Sequence, residues 1–263
     1  MKVIILASGS KGNCTYIETE NTKILIDAGL SYNKLKERLL SFDILLDTID
    51  AILITHEHID HTMHLAQIKK RTKAKVYINE SSYYNLPKTV SVNMSEHNVF
   101  FINPESKYNI GDIYFVPISL FHDTKSIYGY LFKIQKTNVA YITDTGHILP
   151  KYYALLKKMN VLILESNHDV EMLLNSNRDY RLKQRILSNN GHLSNEQCET
   201  ILKEILTTNT KYLVLAHLSE ECNTEELALK HATSAINHAN LNTNLLVGKQ
   251  NEPILINLEE DCA

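Results

Sequence analysis

Ala51-Ile52-Leu53-Ile54-Thr55-His56-Glu57-His58-Ile59-Asp60-His61 is the stretch on which the architecture turns. Its first four residues are apolar, the composition of a short strand buried on both faces. The loop that follows places three imidazoles and the Asp60 carboxylate within six residues. In extended backbone, side chains two residues apart point the same way, so His56 and His58 can converge on one cation. Asp60 and His61 fall where the chain turns into the next helix and can reach a second cation. Imidazole and carboxylate donors suit zinc, manganese or iron. Two such ions about 3.5–4 Å apart are a common device for hydrolysing phosphate or acyl esters.

A two-metal site needs more donors than this loop holds, and three further residues follow apolar runs in the same way. His122 comes after residues 116–121, Asp144 after 139–143, and His217 after 212–216. Donors at strand ends can gather at one edge of a sheet, where loops carry chemistry.

Outward from these points the pattern predicts a mixed α/β chain. Strands are expected over 3–8, over 14–27 as a hairpin turning at Glu20-Asn21, and over 51–55, 76–79 and 98–102. A run of hairpins covers 108–120, then 129–135 and 139–143 around Lys136-Thr137-Asn138. Strands over 161–165 and 212–216 alternate with helices over 149–159, 178–187, 195–207 and 225–239, and a final pair of strands covers 245–258. Earlier helices are expected over 35–46 and 61–70. No repeat or linker interrupts the chain, so the expectation is one domain over 1–263.

Composition bounds the function class. The 263 residues are 44% hydrophobic and 22% charged, which is globular composition. The net charge of −3 excludes a chain that is basic throughout, so any nucleic-acid contact must come from a local patch. Apolar runs such as 3–7, 51–54 and 161–164 are far short of the roughly 18–20 residues of a membrane span. Ser8-Gly9-Ser10-Lys11 cuts the apolar start too early for a secretory signal, whose apolar region takes about 7–15 residues. Cys14, Cys198, Cys222 and Cys262 are widely scattered, as expected of a reduced, cytoplasmic protein.

His56-x-His58-x-Asp60-His61, followed in order by His122, Asp144 and His217, resembles the five metal-ligand motifs of the metallo-β-lactamase-fold hydrolases over nearly the whole chain. Further segments carry a narrower likeness. They are Ala7-Ser8-Gly9-Ser10-Lys11-Gly12-Asn13-Cys14, Leu25-Ile26-Asp27-Ala28-Gly29, Glu165-Ser166-Asn167-His168-Asp169, Gly191-His192-Leu193-Ser194-Asn195, and Ala216-His217-Leu218-Ser219 leading to Cys222-Asn223-Thr224. Together they resemble the YycJ/WalJ family, cytoplasmic metal-dependent hydrolases associated with 5′-to-3′ exonuclease activity on DNA. The resemblance implies an αββα four-layer sandwich, two mixed β-sheets flanked by helices, with a dimetal site along a sheet edge. It further implies that His56, His58 and His122 hold one metal, that Asp60, His61 and His217 hold the other, and that Asp144 bridges them. A metal-bridging hydroxide would be the nucleophile, oriented by Asp60.

Charge favours a phosphodiester substrate. Two divalent cations against Asp60 and Asp144 leave about +2, a hydroxide lowers this to about +1, and one phosphodiester brings it to about zero. The leaving oxygen needs a proton. His192 is the first candidate donor, because Ser194-Asn195-Glu196-Gln197 reads as a capping box and places His192 near a helix N-terminus suited to phosphate. His168, after the strand over 161–165, is the second. Asp27 could fix the tautomer of a metal-bound histidine or simply cap a turn before Gly29. Asn13 is a candidate substrate contact at the rim.

Two basic clusters stand out: Lys69-Lys70-Arg71-Thr72-Lys73-Ala74-Lys75, and Arg178-Asp179-Tyr180-Arg181-Leu182-Lys183-Gln184-Arg185. The first reads as a helix end whose lysines favour the C-terminal dipole. The second precedes His192, so a DNA strand led across Arg178, Arg181, Lys183 and Arg185 would deliver a phosphate towards the metals. Two readings compete with the nuclease. A small-molecule thioester or lactone hydrolase would use the same metals with a closed apolar pocket. A regulatory protein would use them only to hold its fold, in a closed coordination sphere.

Overall fold

The computed structural model describes residues 1–258, and Cys262 lies outside the described residues. The Ala51-Ile52-Leu53 run forms β4 (Ala51–Leu53), buried at every position. Its neighbours on either side are β3 (Lys23–Ile26) and β5 (Lys75–Ile78), both parallel to it, with Ile26 opposite Leu53 and Leu53 opposite Tyr77. A strand flanked in this way has both faces covered, which is why it reads as unbroken apolar sequence.

The first sheet completes itself with β1 (Lys2–Ala7), β2 (Cys14–Glu18), β6 (Val99–Phe101) and β14 (Ile254–Asn257), in the order β14-β1-β2-β3-β4-β5-β6. The β14, β1, β2 and β3 pairings are antiparallel and the rest parallel. The second sheet contains β7 (Tyr108–Ile110), β8 (Ile113–Ser119), β9 (Tyr128–Ile134), β10 (Thr137–Ile142), β11 (Val161–Glu165), β12 (Tyr212–Ala216) and β13 (Asn244–Val247), in the order β13-β12-β11-β10-β9-β8-β7. Strands β10 to β13 pair in parallel, while β9 runs antiparallel to β10.

Helices flank these sheets: α1 (Tyr32–Leu40), α2 (Ile59–Thr62), α3 (Leu65–Thr72), α4 (Glu80–Tyr84), α5 (Lys88–Ser91), α6 (Tyr153–Leu156), α7 (Val170–Asn175), α8 (Tyr180–Leu187), α9 (Asn195–Ile205) and α10 (Glu225–His238). No helix among the described residues is long and apolar enough to cross a membrane.

The chain divides into two compact units, one of Met1–Pro117, Thr124–Tyr128 and the residues from Lys249 onward, the other of Ile118–Asp123 and Gly129–Gly248. In the first, Ile4, Leu25, Ile52 and Val76 pack with Leu35 and Leu39 of α1 and with Leu65 and Ile68 of α3. In the second, Leu162, Ile163, Val214 and Leu215 of the central strands are at most 1% exposed, as are Leu202 of α9 and Ala235 of α10. Burial of each such Leu or Ile is worth about 1.5–3 kcal/mol.

Four details differ from the sequence reading. The helix expected over 149–159 is a 3-10 turn over Pro150–Tyr152, with Pro150 at its start, followed by the single turn of α6. The helix expected over 35–46 begins at Tyr32, because Ser31 Oγ accepts the Lys34 N–H, and it is over before Asp43, which sits at φ 60°. The helix expected over 61–70 is two pieces, α2 and α3. The last two strands do not pair with each other: β13 lies beside β12 and β14 beside β1.

Candidate metal centre

Because β3 and β4 run parallel and end side by side, the residues that follow them meet. Asp27 N donates to Leu53 O at 2.8 Å, and Asp27 Oδ1 accepts from Thr55 N at 2.9 Å. Asp27 is fully buried, and burial pushes its carboxyl up from the usual range while His61 and Thr55 pull it back. Its Oδ2 lies 2.8 Å from His61 Nδ1. Thr55 Oγ1 lies 3.0 Å from Asp27 Oδ1 and 3.0 Å from His56 Nδ1. With Asp27 taken as ionised it can only accept, which gives the proton order His61 Nδ1–H to Asp27, Thr55 O–H to Asp27 and His56 Nδ1–H to Thr55. Both histidines then present Nε2 as the lone-pair nitrogen. The rings of His56 and His58 are 4.5 Å apart between centroids, and those of His56 and His61 4.3 Å, so the three imidazoles converge.

Asn13 braces the same loop. Its Nδ2 lies 3.2 Å from Asp60 Oδ2 and 3.0 Å from His61 Nε2, and its backbone N–H reaches Asp60 O at 2.8 Å. Gly29 sits where these backbones touch: an added Cβ would lie 1.8 Å from Asp60 O and 2.6 Å from Asn13 N. Glu57 turns elsewhere, accepting from Ser82 Oγ at 2.6 Å and Thr124 Oγ1 at 2.5 Å.

The second unit builds its own cluster on the ends of β10, β11 and β12 and on the loop that leads into α9. Asp144, Glu165, His192 and His217 each offer a donor atom within 4.8 Å of the others. Glu165, the last residue of β11, is wholly buried and accepts four N–H groups. Oε2 takes Thr145 N at 2.8 Å and Leu193 N at 3.2 Å; Oε1 takes His192 Nδ1 at 2.8 Å and His217 Nδ1 at 3.0 Å. Burial opposes ionisation, yet His192 and His217 hold the carboxyl well below the usual carboxylate range. Both imidazoles therefore keep Nδ1–H and turn Nε2 outward from Glu165. His122 Nδ1 donates to the Gly191 carbonyl at 3.0 Å, which fixes the same tautomer, and burial pushes its pKa down. Asp144 Oδ1 lies 3.4 Å from His217 Nδ1 and 4.0 Å from His122 Nε2.

The other sequence candidates fall as follows. His192 is partly open, its side chain 19% exposed, and its ring lies 4.7 Å from that of His122. His168 is 1% exposed, and burial pushes its pKa down to about 4. Arg178 pairs with Glu221 at 2.9 Å and Arg185 with Asp123 at 2.9 Å. Lys183 Nζ donates to Leu174 O and Ser176 O, each at 2.7 Å. Arg181 is exposed on α8 beside Tyr180, which is 75% exposed. Glu165 carries no role that the sequence alone discloses. Its signal was there, a carboxylate closing an apolar strand, but its partners lie 27 and 52 residues away and only the fold joins them.

These donor sets fit divalent metals. The histidines at 56, 61, 122, 192 and 217, each with its proton on Nδ1, all present Nε2 as the lone-pair nitrogen a cation could take, and carboxylates accompany them without a cysteine. Comparison with known proteins agrees. The family model described as "Beta-lactamase superfamily domain" matches residues 22–218. Exodeoxyribonuclease YycJ of Bacillus anthracis is 34% identical over 224 residues, covering 85% of this chain and 84% of that protein. Exodeoxyribonuclease WalJ of Streptococcus pneumoniae serotype 2 is 36% identical over 230 residues, with 86% and 85% covered. The chain belongs to the YycJ/WalJ family of the beta-lactamase superfamily. Among solved structures, the metallo-β-lactamase-fold protein YhfI from Bacillus subtilis superposes with a TM-score of 0.71 at 15% identity, covering 97% of this chain and 99% of YhfI. Zn(2+)-bound PqqB from Methylobacterium extorquens gives 0.71 at 13% identity, with 98% and 100% covered. The metallo-β-lactamase fold expected from the motifs is thus the fold of this YycJ/WalJ-family chain. Its superfamily match from 22 to 218 contains all seven residues of the expected ligand set.

Proposed function

We propose that this chain is a dimetal-dependent phosphodiesterase, a 5′-to-3′ DNA exonuclease, acting as one domain over 1–263. The observation that carries the reading is the pair of relatives named exodeoxyribonucleases, matched over 85% and 86% of this chain. His56, His58 and His122 would hold one cation and Asp60, His61 and His217 the other, with Asp144 shared. Zinc, manganese and iron all suit these donors. Such ions, when bound, supply a nucleophile near neutral pH by lowering the pKa of water to about 7, and offset charge on the phosphoryl oxygens.

The protein's own residues do the rest. Asp60, steadied by Asn13, would orient the attacking water. Asn13 itself is 1% exposed and spends its side chain on Gly9, Asp60 and His61, so it would position the loop rather than meet substrate as the sequence suggested. His192, its Nδ1–H held by Glu165, can carry a proton on Nε2 and give it to the leaving oxygen. Burial pushes the His168 pKa down to about 4, which favours its neutral form, and the residue is 1% exposed, so it is less open to substrate than His192. DNA passing along α8 would meet Arg178, Arg181, Lys183 and Arg185, with Tyr180 offering a ring face. Three buried free thiols, Cys14, Cys198 and Cys222, support a reducing compartment, the cytoplasm.

The test is digestion of 5′-phosphorylated double-stranded DNA labelled at either end, by wild type and Asp144→Ala, each metal-stripped and reloaded with manganese or zinc. Metal-dependent release of nucleotides from the 5′ end, lost in the variant, is expected. Intact DNA under every metal, with cleavage of a thioester or lactone panel, would overturn the nuclease reading and keep the metal chemistry.

A further inference from the structure

A further group of side chains with the chemistry to hold a metal ion shares no residue with the cluster on β10, β11 and β12. We propose that Asp169, Glu196 and His231 form a separate site for one divalent cation of the zinc or manganese type, joining the start of α7, the first turn of α9 and the body of α10. One oxygen of each carboxylate and one ring nitrogen of His231 lie within 4.8 Å of one another. Donors around zinc sit about 2.0–2.2 Å from the metal, so closing the site needs movements on the order of 1–1.5 Å, within reach of side-chain adjustment.

Two independent features point to a ligand there. The first is the way His231 is held. Its Nδ1 donates to Glu199 Oε2 at 2.5 Å, while Glu199 Oε1 takes Ser234 Oγ at 2.7 Å and Lys203 Nζ at 2.7 Å. With Lys203 and Ser234 on it, Glu199 is held down at about 2, although burial opposes this, so it stays an acceptor. The imidazole is locked in the tautomer that presents Nε2, the carboxylate–histidine arrangement that supports metal ligation. The second is Glu196 Oε2, which is wholly shielded from solvent and has no hydrogen-bond partner among the described residues. A buried carboxylate oxygen left in that state is unfavourable unless a cation or donor meets it.

Helix capping explains only part of the arrangement. Asp169 Oδ1 accepts the Met172 N–H at 2.8 Å as the cap of α7, which uses one of its oxygens. Glu196 belongs to the first turn of α9, but the capping bonds there come from Ser194 and Gln197. Beside the same two carboxylates lies His168, 1% exposed and with neither ring nitrogen hydrogen-bonded among the described residues. Two carboxylates and one imidazole balance one divalent cation in charge and supply three of its donors, leaving the remaining positions to water.

The proposal is independent of the nuclease reading, and its test is a difference in stoichiometry. Wild type, Glu196→Gln and His231→Ala are loaded with zinc, and in a second series with manganese. They are freed of unbound ion by gel filtration and counted for metal per chain by mass spectrometry of the digested protein. Each variant is expected to hold one equivalent fewer than wild type and to lose part of the melting-temperature gain that added metal gives. Glu196→Gln keeps the shape of the side chain, so it reports on the site even where His231→Ala weakens packing between α9 and α10. Combined with Asp144→Ala, the losses should add, because the two sites share no residue. Equal stoichiometry in wild type and Glu196→Gln overturns the proposal whether or not the protein degrades DNA. Absence of DNA cleavage with a one-equivalent difference leaves it standing.

Discussion

Asp27, Asp144 and His217 all adopt left-handed backbone, at φ 64°, 57° and 56°. Each stands one or two residues past the end of a strand, where the chain must turn at once to bring its side chain over the sheet edge. Such conformations cost on the order of 1–3 kcal/mol each in residues other than glycine and cluster at functional sites. They also explain what the sequence could and could not disclose. His56, His58, Asp60 and His61 were legible because one loop carries them. His122, Asp144 and His217 were legible because each follows an apolar run. Glu165 needed the parallel pairing of β11 with β10 and β12 to acquire its partners. The strain gives a prediction free of any metal. In metal-free protein, Asp144→Gly and Asp144→Ala both remove the carboxylate, but only glycine accepts φ 57° without penalty. The glycine variant should be the more stable by about 1 kcal/mol, read as a higher urea midpoint at an unchanged slope. Equal midpoints would mean that the turn relaxes and stores no strain.

At the scale of elements, legibility followed length and caps. The capping box read from Ser194-Asn195-Glu196-Gln197 is present: Ser194 Oγ accepts from Gln197 N at 3.2 Å, and Gln197 Oε1 from Ser194 N at 2.9 Å. The short helices α4, α5 and α7 were not foreseen, since elements of four to six residues show less than two turns of periodicity. Two of them announce themselves only by caps, Asn79 accepting Ser82 N at 2.7 Å and Asp169 accepting Met172 N at 2.8 Å. The last two strands were recognised as strands, but alternation says nothing about partners, and a chain end can join a distant strand as readily as its neighbour. For α9 the box has a measurable weight. Ser194→Ala should lower stability by about 1 kcal/mol, the usual value of an N-cap hydroxyl, seen as a reduced urea midpoint. The same change should also loosen His192, two residues upstream, so any nuclease activity should fall through kcat more than through KM. An unchanged midpoint would show that the cap contributes nothing here.

For the molecule as a whole, a net charge of −3 means that DNA, as the proposed substrate, would have to be drawn to a local patch against the overall field. The patch on and beside α8 is weaker than its four cations suggest. Arg178 is neutralised by Glu221 and Arg185 by Asp123. Lys183 bonds to two carbonyls and, among the described residues, neither it nor exposed Arg181 meets a carboxylate in an ion pair. Salt dependence of binding counts the phosphates neutralised, with a slope of about −0.9 per contact on duplex DNA. Binding followed by anisotropy in EDTA, which would withhold the metal the proposed cleavage needs, should therefore show a slope of about −2 from this patch, against about −3.6 if all four cations engaged phosphate. Arg181→Ala should reduce the slope by about 1, whereas Arg178→Ala should leave it nearly unchanged, because Glu221 already holds that charge. A full unit lost in Arg178→Ala would mean that DNA displaces Glu221. The patch would then be a switchable surface rather than a partly spent one.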